Sequence, residues 1–206
     1  MSDLVFYTNP MSRGRIVRWM LEEVGAPYDT VIVDFGARSE AFLRLNPMGK
    51  VPTIVHQGRV VSEAAAICAY LADAFPEAGL APQPEERADY YRWMFFSAGP
   101  VESAVVNRSL GFEPPAERRA MVGYGDYDLT VDTLEKAVAA HPYIAGERFT
   151  AADVYVGSQV GWGVNFGTLP RRPAFEAYLA RIDGRPAAVR ARQIDDELIA
   201  KASANA

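Results

Sequence analysis

Leu4-Val5-Phe6-Tyr7 is followed by Thr8-Asn9-Pro10-Met11-Ser12-Arg13-Gly14-Arg15, then by a helical pattern up to Gly25, and then by Val31-Ile32-Val33. The first apolar run is short enough for a buried strand, and Asn9-Pro10 ends it. Ile16, Val17, Met20, Leu21 and Val24 then fall on one helix face, with Ser12 as N-cap, Gly25 at the C′ position and Pro27 beyond. Val31-Ile32-Val33 reads as a second strand. A strand, a helix and a strand in one sheet imply a parallel pair joined by a right-handed crossover.

Outward from this unit, residues 38–45 read as a short helix. Pro52-Thr53-Ile54-Val55 and Arg59-Val60-Val61 flank His56-Gln57-Gly58 as a hairpin with glycine in its turn. Ala66, Ile67, Tyr70, Leu71 and Ala74 mark a helix ending near Pro76. The sum is βαβ followed by ββα, a four-stranded mixed sheet. Ala81-Pro82-Gln83-Pro84-Glu85-Glu86 has the proline and charge content of a linker. Beyond it the pattern is helical: around Tyr90–Phe96, at Tyr127–Ala140, and from residue 150. At that last start Thr150 is the N-cap, Asp153 the acidic N3 partner, and Phe149 is placed to staple onto Val154. The expected organisation is an α+β domain over residues 1–80, a linker over 81–86 and an all-α domain over 87–206.

A chain of 206 residues holds one large core or two small ones. With 50% hydrophobic and 23% charged residues it has the balance of a folded protein and not of a disordered one. Its 21 Lys+Arg against 26 Asp+Glu leave no basic surplus to neutralise phosphates, which disfavours a nucleic-acid partner. One cysteine, Cys68, excludes an intrachain disulfide framework, CxxC redox chemistry and a thiolate zinc site. With only His56 and His141 beside it, no metal site is expected. No apolar run approaches the ~20 residues of a membrane span, and Met1-Ser2-Asp3 is unlike the start of a secretory signal. The expected setting is cytoplasmic, with no membrane partner.

The sequence has no Ser/His/Asp order, P-loop, GxGxxG, HExxH or calcium loop. What converges at one end of the expected sheet is backbone polarity: the turn Asn9–Arg15, the Val51-Pro52 junction and the helix start Ser62-Glu63-Ala64.

Phe6–Arg15, Asn46-Pro47-Met48-Gly49-Lys50-Val51-Pro52, Ser62-Glu63-Ala64-Ala65-Ala66-Ile67 and Phe149-Thr150-Ala151-Ala152-Asp153 together resemble a glutathione S-transferase of bacterial type. The likeness spans nearly the whole chain, in the family's order. It implies a thioredoxin-like N-terminal domain followed by an all-helical one, a homodimer, glutathione as co-substrate and a role in detoxification. It also implies a cis peptide before Pro52, the bond type for which cis costs only about 0.5–1 kcal/mol. Val51 would then pair its N–H and C=O with the cysteinyl backbone of the tripeptide, as in strand addition. Read alone, Pro52 is an ordinary edge-strand proline. The γ-glutamyl end of glutathione carries a carboxylate and an ammonium. The helix start at Ala64 offers N–H groups and positive dipole to the first, and Glu63 takes the second. Read alone, Glu63 is a solvated first-turn acid. Family members commonly have a serine after that acid; Ala64 keeps the N–H and loses the hydroxyl. Lys50 and Arg38 are the candidates for the glycyl carboxylate.

A free thiol with pKa about 8.5 is only a few per cent thiolate at neutral pH. Lowering it by two units takes about 2.7 kcal/mol of preferential stabilisation. A hydrogen bond to the anion supplies roughly 1.5–3 kcal/mol, and a helix N-terminus about 0.3–1, up to ~2 when partly buried. Ser12 is a hydroxyl at the first helix start, with Arg15 in the same turn. Its ordinary reading is an N-cap bonded to its own helix. Tyr7 is the competitor, because it falls where tyrosine-type relatives carry their catalytic residue. Arg13-Gly14-Arg15 stands two residues further from it than the corresponding triplet does in those relatives. Cys68, inside an apolar helical pattern, reads as a buried inert thiol.

The second substrate is expected between the domains, where pockets commonly form. Trp93, Phe96 and Trp162 are the candidates for its apolar surface, aromatic residues at such spacing being otherwise core. The expected activity is a glutathione transferase acting on a small hydrophobic electrophile. The alternatives are a glutathione-dependent isomerase, dehalogenase or etherase, or a non-catalytic binding protein of the same fold.

Overall fold

The structure, a computed structural model, describes residues 2–204. Contacts divide the chain into two compact units: the first eighty residues with the segment from Arg185 onward, and Ala81–Gly184.

In the first unit, β1 (Leu4–Thr8), α1 (Gly14–Val24), β2 (Asp29–Ile32), α2 (Glu40–Leu45), β3 (Thr53–His56), β4 (Arg59–Ser62) and α3 (Ala64–Ala74) follow in order. The sheet order is β2-β1-β3-β4, with β1 and β2 parallel and the other neighbours antiparallel. This is the mixed βαβ-ββα sheet expected from the sequence, with β2 starting two residues earlier. Residues alternate along β1: Leu4, Phe6 and Thr8 are buried, whereas Val5 and Tyr7 are half-buried. Phe6 lies under the Arg18 guanidinium of α1, and Tyr7 stacks on Phe42 of α2, so the two faces of the strand meet different helices. The hairpin turn has positive φ at both Gln57 (51°) and Gly58 (76°), the conformation that matches strand twist in a two-residue loop. Gly25 ends α1 in the left-handed conformation, its N–H donating to the Leu21 carbonyl at 2.9 Å.

One structural grouping differs from the sequence reading. The last helix, α9 (Pro186–Ala204), was expected with the all-α domain but packs with the first unit, where α1 meets it more extensively than any other element. The reason lies in α1, which buries a second face: Arg18 and Trp19 are interior together with Ile16, Val17, Met20 and Leu21. Arg18 Nε donates to Asp195 Oδ1 at 3.2 Å, and its Nη1 donates to Tyr28 Oη and Thr30 Oγ1 at 3.0 and 2.9 Å. Burial pushes the Tyr28 hydroxyl up to about 12. It therefore stays protonated and donates to Glu22 at 2.7 Å while accepting from Arg18.

The second unit is helical, as expected. It begins with α4 (Arg87–Phe96), a π-helical turn over Ser97–Val101 and α5 (Glu102–Ser109). Pro100 sits inside the π turn; it has no N–H to give the helix, and the wider turn accommodates its ring. Then follow α6 (Tyr127–Ala140), α7 (Ala151–Phe166) and α8 (Pro173–Ile182). The first seven residues of α7 are all buried, which marks it as the central helix of this unit. Its start is a capping box: Asp153 Oδ2 accepts from the Thr150 N–H at 2.9 Å, and Oδ1 accepts from the Ile144 N–H and the Tyr178 hydroxyl at 2.8 and 2.9 Å.

Removing one member of a buried ion pair leaves the other charge without compensation. Asp195→Ala is therefore expected to lower unfolding free energy by about 3–5 kcal/mol in a urea titration, and Arg18→Met with Asp195→Leu to restore most of that loss. An unchanged midpoint for Asp195→Ala would show that α9 is not held through Arg18.

Candidate functional site

Strand register fixes where the polar backbone features meet. Tyr7 pairs with Thr53, and Thr53 pairs with Ser62. The turn after β1, the loop before β3 and the start of α3 after β4 therefore all leave the sheet at one end.

The loop before β3 is shaped by one buried side chain. Asn46, the C-cap of α2, donates from Nδ2 to the Lys50 carbonyl at 2.9 Å and to Thr53 Oγ1 at 3.1 Å. Its Oδ1 accepts from the Met48 N–H at 3.1 Å. Gly49, at φ 62°, donates to the Asn46 carbonyl and accepts from Arg38 Nε at 2.7 Å. The Val51-Pro52 bond at the end of this loop is cis, as the resemblance implied. Among the described residues no protein group bonds to the N–H or carbonyl of Val51.

At the start of α3, Glu63 has φ 68°, a left-handed conformation rare for a side chain of its size. No side chain caps this helix, so the N–H groups of its first turn are without an intrahelical partner. Glu63 is exposed and Ala64 buried. This pairs an uncapped N-terminus, which attracts a carboxylate, with an acid that attracts an ammonium.

At the third edge, Asn9 Nδ2 donates to the Val33 carbonyl at 3.1 Å, and its Oδ1 accepts from the Met11 N–H at 3.0 Å. Ser12 is not the N-cap that the sequence suggested; Arg13 holds that position, without a side-chain cap bond. The Ser12 hydroxyl donates to the Asn9 carbonyl at 2.6 Å and accepts from the Gly14 N–H at 3.0 Å. A hydroxyl has one proton, so in this conformation that proton is committed to Asn9. Gly14 is required here, since a Cβ would overlap Thr8 Oγ1.

The other expected residues divide between the two units. Arg15 pairs with Asp196 of α9 at 2.6 Å. Arg38 braces the loop, donating to the carbonyls of Gly49 and Phe35 at 2.7 and 2.8 Å. Lys50 is exposed beside Val51. The Tyr7 ring lies stacked on Phe42, 5.6 Å between centroids. Trp93, Phe96 and Trp162 belong to the second unit, all half-buried; the Trp93 and Phe96 rings meet edge to face at 5.7 Å, and Arg92 covers a face of Trp93 at 4.3 Å. Cys68 is buried, and burial pushes its thiol well up, which keeps it protonated and inert. Sequence reading gave Asn46 and Thr53 no role in shaping the loop. The signal available was an asparagine directly before Pro47, a pair that favours Asx-type turns.

A family model described as the glutathione S-transferase N-terminal domain matches residues 11–74. Glutathione S-transferase 3 of Zea mays is 32% identical over 169 residues, covering 74% of this chain and 75% of that protein. Glutathione S-transferase 3 of Schizosaccharomyces pombe is 30% identical over 162 residues, which cover 69% of this chain and 66% of that protein. Among solved structures, a sphingomonad glutathione S-transferase complexed with glutathione superposes with a TM-score of 0.76 at 30% identity, covering 93% of this chain and 98% of that one.

Because Asn46 satisfies the Lys50 carbonyl and Thr53 together, Asn46→Ala is expected to destabilise the fold by about 1–3 kcal/mol in urea unfolding. Lys50→Ala, at an exposed side chain, should stay within about 0.5 kcal/mol. Equal midpoints for the two variants would show that Asn46 does not hold the loop.

Proposed function

The chain belongs to the glutathione S-transferase family, and we propose that it binds glutathione at the sheet end formed by residues 9–15, 46–52 and 62–64 and activates its thiol for attack on a small apolar electrophile. The observation that carries this reading is the pairing of an unbonded Val51 backbone with an uncapped α3 beside Glu63. An extended tripeptide needs both: a strand-like donor and acceptor for its cysteinyl residue, and a site of mixed charge for its γ-glutamyl end. Lys50 offers a positive charge to the glycyl carboxylate. Arg38 keeps the loop in place and acts on that carboxylate through the loop's shape.

The thiol then lies toward the N-terminus of α1. There the positive end of the helix dipole favours the anion, and the proton leaves to solvent. Ser12 serves as the hydroxyl donor after rotation about χ1 frees it from the Asn9 carbonyl. Tyr7, stacked on Phe42, is the weaker donor for the same thiolate. We assign the apolar half of the second substrate to Trp93, Phe96 and Trp162. Tyr91 and Phe95, neighbouring exposed rings on α4, suit the homodimer of our reading. A cytoplasmic location belongs to the same proposal. Ala64 and the engaged Ser12 hydroxyl favour one other reading, a non-catalytic binding protein of the same fold.

Ser12→Ala is expected to reduce conjugation of a chromogenic electrophile tenfold or more, by the ~1.5–3 kcal/mol that a hydrogen bond to an anion supplies. Glutathione affinity by calorimetric titration should change little. Turnover equal to that of the parent would remove Ser12 from the mechanism and leave Tyr7 and the positive end of the α1 dipole to stabilise the thiolate. Binding without turnover in the parent protein, or no binding at millimolar glutathione, would overturn the transferase reading and favour the non-catalytic one.

A further inference from the structure

Helix α1 is joined by charges to α9 and to Arg185 just before it, in antiparallel order: Arg15 with Asp196 (2.6 Å), Arg18 with Asp195 (3.2 Å), Glu22 with Arg190 (3.2 Å) and Glu23 with Arg185 (2.6 Å). On α1 the cations stand in the first half and the anions in the last, which is the reverse of what its own dipole favours. Each is matched from α9 or from Arg185 just before it. The Arg18 and Asp195 side chains are interior, so that pair holds the helices together. The Arg15–Asp196 pair is different: Asp196 is 64% exposed and Arg15 25%, so this pair stands at the surface of the same junction.

Side chains of a helix lean toward its N-terminus. Arg15, in the first turn, therefore reaches toward the end of α1 that carries the positive end of its dipole. Left alone, its charge would add to the positive end of the dipole. Asp196 sets an opposite charge 2.6 Å from it. We propose that Asp196 is a positioning residue that fixes Arg15 and sets the electrostatic potential at the N-terminus of α1, and with it the acidity of a thiol bound there. The inference rests on the reading that glutathione is that ligand. It assigns α9, far along the chain from the site, a part in tuning the reaction.

Arg18 and Asp195 adjoin the pair on α1 and α9 and pair with each other, and along the chain the neighbouring charges include Arg13 just before α1 and Arg192 one turn earlier on α9. They are the same in every variant below, so their contribution cancels in the comparison. One unit charge about 10 Å from a thiolate in water-like surroundings shifts its pKa by about 0.3 unit.

The test is the pKa of enzyme-bound glutathione, read from the ultraviolet absorbance of the thiolate against pH, in the parent protein, Asp196→Asn, Arg15→Gln and the double variant. Asp196→Asn is expected to lower the pKa by about 0.3 unit and Arg15→Gln to raise it by about as much. The double variant should return close to the parent value. About 0.5 M potassium chloride should shrink the single-variant shifts, because the pair is exposed to solvent. A merely structural role would weaken both single variants without opposite signs or cancellation. Single-variant shifts that are absent, or of the same sign, would overturn the proposal while leaving glutathione binding intact. Failure of the parent protein to bind glutathione by calorimetry would instead overturn the functional reading, and this proposal with it.

Discussion

A guanidinium inside a protein has to be met by a carboxylate or by hydrogen-bond acceptors, because its hydration is lost and Arg does not release its proton. Arg18 is such a group, 1% exposed and flanked by the rings of Phe6 and Tyr28 at 5.0 and 5.5 Å. Its partners come from three places: Tyr28 after α1, Thr30 on β2, and Asp195 on the last helix. The crossover helix is thereby tied to the strand that follows it and to α9. Burying α1 on two faces in this way makes it a rigid element, and the turn that precedes it inherits a fixed position.

That anchoring bears on chemistry because the site we propose is built largely from backbone. An N–H group can stabilise an anion only if the element carrying it cannot retreat, and a helix terminus acts within its first turn. At this sheet end one element is held by the Arg18 junction and another, the loop before Pro52, by Asn46 and Arg38. The third, the start of α3, carries its irregularity in Glu63 itself. The reactive sulfur in our reading comes from the ligand. This accords with the state of the chain's own thiol: Cys68 is buried and protonated.

The parts of this architecture that were legible in the sequence are those set by local physics. The alternation of Leu4, Phe6 and Thr8, the glycine ending α1, the turn at Gln57-Gly58 and the capping box at Thr150 each follow from neighbours within a few residues. The site was legible as a set of segments, Asn9–Arg15, Val51-Pro52 and Ser62-Glu63-Ala64, because a βαβ-ββα order brings those ends together. Roles within the segments were less so. Ser12 reads as an N-cap from its position, yet its hydroxyl turns back to Asn9 and leaves the capping position to Arg13. Arg15 and Arg38 read as free cations for a ligand, yet each has a partner inside the protein.

The helical pattern after residue 87 also placed the last helix with the all-α domain. In the folded chain that helix packs with the first unit, against α1 and the interior Arg18. The acceptor that makes Arg18 an interior residue is Asp195, 177 positions away, and no local pattern signals a partner at that distance. The amino-acid sequence by itself determined the elements, their order and the sheet they form, since propensity, turns and short-range periodicity act within one element or between neighbours. Only the tertiary structure decided which helix closes α1 and which hydroxyls and cations remain available at the site, because hydrogen bonds and ion pairs between distant segments are settled by proximity that the fold alone creates.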